Sequence, residues 1–381
     1  MDRVYLDHNA TTPVDPRVLE AMLPALREGF GNASSLHWFG QQARAALDEA
    51  RAQVARLIGA NPAEIVFTSS GTEADNLALR GAAGIARPPR RGIVYSAVEH
   101  HAVMNTARSL AEEGWPVASV RATADGLIDL EDLASKVDET TALVAVMLAN
   151  NETGVIQPLP EVVRIARARG ALVHSDAVQA AGKIEVDVRA LDVDLLALSG
   201  HKIYAPKGVG VLYVKRGTRL RPWVRGGSQE RNRRAGTENI PGIVGMGRAA
   251  AIAREELAEE SVRLSALRDR LEERLLAIPG TRRNGDGPRV PNTTNVSFAG
   301  IEAESLLMAL DLAGVAVSTG AACAAGAVEP SHVLRGMGLP MERVQGSVRF
   351  SLGRATKESD VDRAAETVTA AVAKQRSLAR V

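Results

Sequence analysis

Val193-Asp-Leu-Leu-Ala-Leu-Ser-Gly-His-Lys202 runs from an apolar, strand-like segment directly into two small residues, a histidine and a lysine. Upstream, Ala171-Leu-Val-His-Ser-Asp176-Ala-Val-Gln179 repeats the design and delivers a carboxylate to a strand's C-terminal end. Both belong to a longer alternation. Strands are expected at Glu64–Ser69, Gly92–Ser96, Val117–Val120, Leu143–Ala149, Ala171–Ser175, Val193–Leu198 and Gly208–Val214. Helix-period stretches intervene at Thr72–Ala86, His101–Glu113, Leu130–Val137 and Leu159–Arg169. Strands alternating with helices predict an α/β fold, a mostly parallel sheet with helices on both faces. In such sheets ligands gather beyond the carboxyl ends of the strands, where Asp176 and Lys202 fall.

The rest of the chain frames this region. At 381 residues with 45% apolar content, about two domains with sizeable cores are expected. Earlier helices are expected near Arg17–Arg27 and Gln41–Ile58. A long Ala/Glu/Arg/Leu-rich helix, about Gly242 to Ile278, leads out of the large unit. Beyond it, strands at Thr294–Ala299 and Ser347–Leu352 and helices at Ala303–Leu312 and from Lys357 make a smaller α+β domain. The expected division is 14–250 for the large domain, with 1–13 and 251–381 forming the small one. Net charge is only +1, from 46 basic and 45 acidic residues, so no electrostatic footprint for nucleic acid is present. The start of the chain carries Asp2, Arg3 and Asp7 rather than an apolar core, against a signal peptide. Apolar runs such as Ala142 to Ala149 are strand-sized, too short for a membrane span. The single cysteine, Cys323, excludes an internal disulfide and a CxxC metal site. No metal is expected, and the chain reads as a soluble cytoplasmic protein.

Only seven lysines occur, at 136, 183, 202, 207, 215, 357 and 374. Lys202 alone directly follows a buried-type strand. An amine and a carboxylate at neighbouring strand ends suit pyridoxal phosphate (PLP), which needs a lysine for its Schiff base and an acid opposite its pyridine nitrogen. Other residues extend that reading. Gly71 and Thr72 lie between a strand and a helix whose free N–H groups favour an anion. His100 follows a strand and can stack on a heteroaromatic ring, whereas His101 reads as the cap of the next helix. Gln179 and Asn151 are placed to meet the ring's phenolic oxygen. Ser199 and His201 flank the Gly200 turn on the phosphate side. Arg349 is a candidate bidentate clamp for an α-carboxylate, or else a strand-end arginine paired with an acid. Cys323 sits in Ser318-Thr-Gly-Ala-Ala-Cys-Ala-Ala-Gly-Ala, whose small residues predict a mobile loop from which a thiol can swing.

Taken with Tyr5-Leu-Asp-His-Asn-Ala-Thr-Thr-Pro13, Phe67-Thr-Ser-Ser-Gly-Thr-Glu-Ala-Asp-Asn76, Asn150-Asn-Glu-Thr-Gly154, Ser199-Gly-His-Lys-Ile-Tyr-Ala-Pro-Lys-Gly208, Gly236-Thr-Glu238, Glu329-Pro-Ser-His-Val-Leu334 and Arg349-Phe-Ser-Leu-Gly-Arg354, the chain resembles the NifS/IscS-type cysteine desulfurases. These belong to the class V aminotransferase branch of fold-type I PLP enzymes. The resemblance implies that Lys202 forms the Schiff base, that Asp176 and Gln179 hold the ring, and that His100 stacks on it. It implies phosphate contacts from Thr72, Ser199 and His201, joined by Thr237 from the partner of a homodimer. Asn32, in Gly31-Asn-Ala-Ser-Ser, would join Arg349 on the substrate carboxylate. L-cysteine would become alanine, leaving a persulfide on Cys323 for an acceptor protein that serves iron–sulfur cluster assembly or nucleoside thiolation. Where the family commonly shows Ser-Gly-Ser-Ala-Cys-Thr-Ser, this chain has Thr-Gly-Ala-Ala-Cys-Ala-Ala. The rival readings are a selenocysteine lyase, another class V PLP enzyme, or a PLP-binding sulfur-relay scaffold with negligible turnover.

Overall fold

The computed structural model describes residues 3–320 and 330–378. A short strand β1 (Val4–Tyr5) precedes the strands of the central sheet. These are β2 (Ile65–Thr68), β3 (Gly92–Ser96), β4 (Val117–Val120), β5 (Thr141–Ala145), β6 (Leu172–Asp176), β7 (Leu195–Ser199) and β8 (Gly210–Val214), in the spatial order β2-β8-β7-β6-β5-β3-β4. β4, β3, β5, β6 and β7 pair in parallel, and β8 runs antiparallel to both its neighbours, β7 and β2. One reversed strand in an otherwise parallel sheet brings the carboxyl ends of the others to a common edge.

The continuous apolar runs follow from burial on both faces, since successive side chains point to opposite sides. Ile65, Phe67, Val94, Val144, Val173, Leu196, Leu198, Val211 and Tyr213 enter one core. Their neighbours Val66, Ile93, Tyr95, Leu143, Ala145, Leu195, Ala197, Leu212 and Val214 enter the core on the opposite face. Helices Gly71–Ala83 and His101–Glu112 cover the second face, and Trp38–Leu57 and Leu159–Ala168 cover the first. Each large aliphatic side chain buried this way contributes roughly 1.5–3 kcal/mol.

A further core gathers around β10 (Thr293–Phe298), which pairs antiparallel with β9 (Thr281–Arg283) and with β12 (Ser347–Ser351). β1 pairs in parallel with β11 (Val315–Ala316) beside it. The helix Ile240–Leu276 joins the two regions. Its Ile243, Met246, Ala250 and Ala253 enter the large core, and its Leu264, Leu267, Leu271 and Leu275 enter the small one. Among the described residues, no helix is long and apolar enough to cross a membrane.

Two local expectations need correction. The strand expected over Leu143–Ala149 is Thr141–Ala145, although Val146 and Leu148 still donate backbone hydrogen bonds to His174 and Asp176. The helix cap assigned to His101 belongs to His100, whose backbone is extended and whose Nδ1 accepts from the Ala102 amide at 3.1 Å. His101 is instead the first helical residue and packs on His332, ring centroids 4.5 Å apart.

Candidate active site

Chain direction places the reactive groups. β7 ends at Ser199, and a 3₁₀ turn over Gly200–Lys202 reverses the backbone. The turn is tight: a Cβ on Gly200 would come within 2.8 Å of Val209, and Tyr204 just beyond adopts a left-handed φ of 69°. Lys202 is thereby aimed into a cavity of about 460 Å³ beyond the strand ends. Its Nζ donates to the carbonyls of Asn9 at 2.5 Å and Ala10 at 2.7 Å. Burial, then the charge of Arg349, lowers its pKa to about 8, so a substantial fraction of the amine is neutral near physiological pH.

Asp176 closes β6 and lines the same cavity. One carboxylate oxygen accepts from the Val178 amide at 2.8 Å. Burial, then the neighbouring Asp75, raises its pKa to about 7, while Lys202 pulls it down. His100 stands beside it. Burial and then Lys202 hold the imidazole pKa near 4, and its Nδ1 is an acceptor, so the neutral ring carries its proton on Nε2.

Gln179 donates from Nε2 to the Asn9 carbonyl at 3.0 Å, and its Oε1 accepts from Lys183. Lys183 is itself buried, and desolvation pushes its pKa well below the usual lysine value. Asn151 presents a buried Oδ1 that has no hydrogen-bond partner among the described residues. At the opposite wall Gly71 starts the helix Gly71–Ala83, capped by Ser70, whose hydroxyl takes the Glu73 amide at 3.1 Å. The first amides of a helix have no intrahelical acceptor, so this end of the cavity favours an anion. Thr72 and Ser199 line it, and His201 is held by Thr11, Nδ1 to Oγ1, at 3.1 Å. Arg349, in the middle of β12, reaches in from the small region. It donates to Asp7 at 2.7 Å and to the Asn151 carbonyl at 3.0 Å, and its Nε has no partner among the described residues.

The single cavity thus gathers Gly71, Thr72, His100, Asn151, Asp176, Gln179, Ser199, His201, Lys202 and Arg349. Asn32 and Thr237 do not line it. Asn32 is exposed and folds back to accept from the Ser34 amide at 2.9 Å. Thr237 is exposed at a separate hollow lined by Ser69, Gly208 and Arg234. Cys323 lies outside the described residues; Ser318 and Gly320, just before it, reach the cavity wall. Sequence reasoning missed Asn9, Ala10, Asp7 and Asp75. The first three lie in the quoted stretch Tyr5 to Pro13, and Asp75 in Phe67 to Asn76, so the available signal was the motif without a role for each member.

Comparison with known proteins agrees with this geometry. A family model for aminotransferase class V matches residues 4–364. A cysteine desulfurase of Trichormus azollae is 50% identical over 380 residues, covering 99% of this chain and 95% of that protein. The cysteine desulfurase NifS of Azotobacter vinelandii is 47% identical over 381 residues, covering 99% and 94%. Among solved structures, a NifS-like protein superposes with a TM-score of 0.91 at 40% identity, covering 98% of this chain and all of the other. The chain belongs to the class V aminotransferase family, among the NifS/IscS-like cysteine desulfurases.

Proposed function

We propose that the protein is a PLP-dependent cysteine desulfurase that converts L-cysteine to L-alanine and holds the sulfur as a persulfide on Cys323. The observation that supports it best is the convergence of Lys202, Asp176, His100, Gln179 and Arg349 on one cavity that opens onto a helix N-terminus. The residues present suit PLP. A Cβ on Gly71 would stand 3.0 Å from Val178 and 3.2 Å from Ser199, so glycine keeps that wall open. Among the described residues, Asn151 Oδ1 and Arg349 Nε are buried polar atoms without partners, and a polar ligand would satisfy them. When bound, PLP supplies an electron sink for the substrate's α-carbon.

The chain's own residues would do the rest. Lys202, partly neutral, holds the cofactor aldehyde. Asp176 would face the pyridine nitrogen, and His100 would lie against the ring. Gln179 Oε1 accepts from Lys183 and one Nε2 hydrogen goes to the Asn9 carbonyl, so the second Nε2 hydrogen would be the donor for the phenolic oxygen. Thr72, Ser199 and His201 bind phosphate together with the helix amides. Thr237, exposed and away from its own chain's cavity, would serve the partner's phosphate in a homodimer. Arg349 takes the α-carboxylate. In the net reaction the substrate's C–S bond and one S–H bond break, and an S–S bond to Cys323 and a C–H bond form. A working free thiol requires a compartment that keeps thiols reduced, which supports a cytoplasmic site of action. The persulfide is passed to an acceptor protein, in iron–sulfur cluster assembly or tRNA thiolation. We also infer the division into a large domain, 14–250, and a small one formed by 1–13 and 251–381.

Cys323→Ala provides the test. The variant is expected to keep the PLP absorbance of the wild type and to lose sulfide release from L-cysteine. Mass spectrometry of the wild type should find one added sulfur on the Cys323 peptide. Unchanged sulfide release by the variant would move the assignment to another class V reaction.

A further inference from the structure

Behind Asp176 the cavity floor holds more acid than a single pyridine nitrogen requires. Asp75, on the helix Gly71–Ala83, is 1% exposed, and Glu99, after β3, is equally buried. Asp75, Asp176 and His100 each offer a polar atom within 4.8 Å of the others. Among the described residues, no lysine or arginine forms an ion pair with any of the three acids. Asp75 meets only His174, Oδ1 to Nε2 at 3.0 Å, and His174 is fully buried inside β6. Neighbouring carboxylates with no cation between them do not both ionise; they titrate as a coupled pair and one keeps its proton.

We propose that Asp75 holds the proton of this pair and donates it to His174 Nε2, leaving Asp176 as the one carboxylate that faces the cavity. This deepens the PLP reading and rests on it for its consequence: one negative charge, not two, opposes one pyridinium. Asp75 is then a positioning residue that acts through the charge state of Asp176. For Nε2 to accept, His174 must carry its hydrogen on Nδ1, which is buried and has no hydrogen-bond partner among the described residues. The surrounding groups agree. Burial pushes Asp75 well above the usual carboxyl range, favouring its protonated form, and pushes His174 down to about 4, so the imidazole is neutral. Glu99 accepts from the Met147 amide at 2.6 Å, and burial, with Asp176 and Asp75 nearby, raises it as well. His100 is neutral, and Lys202 is the cation that attracts Asp176.

The test follows the aspartate carboxyls of the full-length chain by ¹³C NMR across neutral pH, with and without PLP, in the wild type, Asp75→Asn and Asp75→Leu. In the wild type without PLP, one aspartate should remain protonated at about pH 8.5, above the range in which Asp176 titrates, and Asp75→Asn should remove that signal. The asparagine amide reproduces a neutral donor to His174, so PLP affinity should stay within about threefold. The leucine also carries no charge, so PLP affinity should again stay within about threefold, whereas the unpaired His174 should lower the thermal unfolding temperature relative to Asp75→Asn. A wild-type chain with every aspartate ionised at about pH 8.5 overturns the proposal, as does a tenfold loss of affinity, or failure to fold, in Asp75→Asn. If the wild type does not bind PLP at all, the functional reading fails, whereas the carboxyl signal without PLP still decides where the proton lies.

Discussion

Arg349 enters the cavity already paired with Asp7, so a substrate carboxylate must share or take over the guanidinium rather than find it free. A planar fork can do this, because one edge can turn to the ligand while another nitrogen stays on the Asn151 carbonyl. A lysine has no such second edge. Arg349→Lys should therefore lower kcat/KM for L-cysteine by about 10–100-fold, from the roughly 1.5–3 kcal/mol of a charged hydrogen bond, mostly through KM. Steady-state kinetics at equal PLP content checks it, and an unchanged KM would remove Arg349 from the substrate site. Lys202 makes a second expectation at this scale. Because its pKa lies near 8, the neutral amine grows as pH rises to that value and then levels off. The rate at which PLP-free protein captures PLP should rise with pH and plateau above about 8. A rate that keeps climbing through pH 10 would mean that the amine has an ordinary lysine pKa.

At the scale of elements, the reversed strand β8 shapes the anion end of the cavity. Its first residue, Gly210, has its Cα so close to the turn before helix Gly71–Ala83 that a Cβ would lie 2.3 Å from the Ser70 carbonyl carbon and 2.8 Å from the Gly71 nitrogen. Both are backbone atoms and cannot swing aside. Gly210→Ala should cost about 1–3 kcal/mol by overpacking and should also weaken PLP binding, because the turn that yields moves the helix amides. Thermal unfolding and a PLP titration measure the two effects; lost stability with unaltered PLP affinity would separate β8 from the site. The existence of β8 was legible in the sequence, and its direction was not, because a strand buried on both faces has no polar alternation to mark its register. One cue was passed over: the connection from Gly200 to Val209 holds no helix able to cross the sheet, and parallel neighbours need one. Lys202 and Asp176 were legible because each ends a run of local pattern. Lys183 was not, since its burial depends on Asn9 Oδ1 and Gln179 Oε1, and Asn9 comes from the far end of the chain. Nothing adjacent to Lys183 announces that contact.

At the scale of the whole molecule, the two cores are joined by the helix Ile240–Leu276 and by polar contacts around the cavity, and Glu152 is one of these contacts. It follows β5, yet its carboxylate accepts from Ser331, its carbonyl accepts from Asn295 in β10, and a Cβ on Gly320 would come within 2.9 Å of its side chain. It is therefore wedged between the sheet of the large core and the elements of the small one. Burial raises its pKa from 4.5 to about 7, against the hydrogen bond from Ser331 and the charge of Arg349. A carboxyl with a raised folded-state pKa gives stability that is complete below the unfolded value and lost as pH rises through the folded one. Below about pH 4.5 the side chain is neutral in both states. By about pH 8 the folded protein carries a buried charge worth up to about 3 kcal/mol against it. Glutamine in its place is neutral throughout. Glu152→Gln should therefore match the wild type near pH 4 and gain on it steadily towards pH 8, by up to that amount. Urea unfolding of both proteins at the two pH values measures the gap, and a gap that stays constant would mean that Glu152 is already ionised between the two cores at low pH.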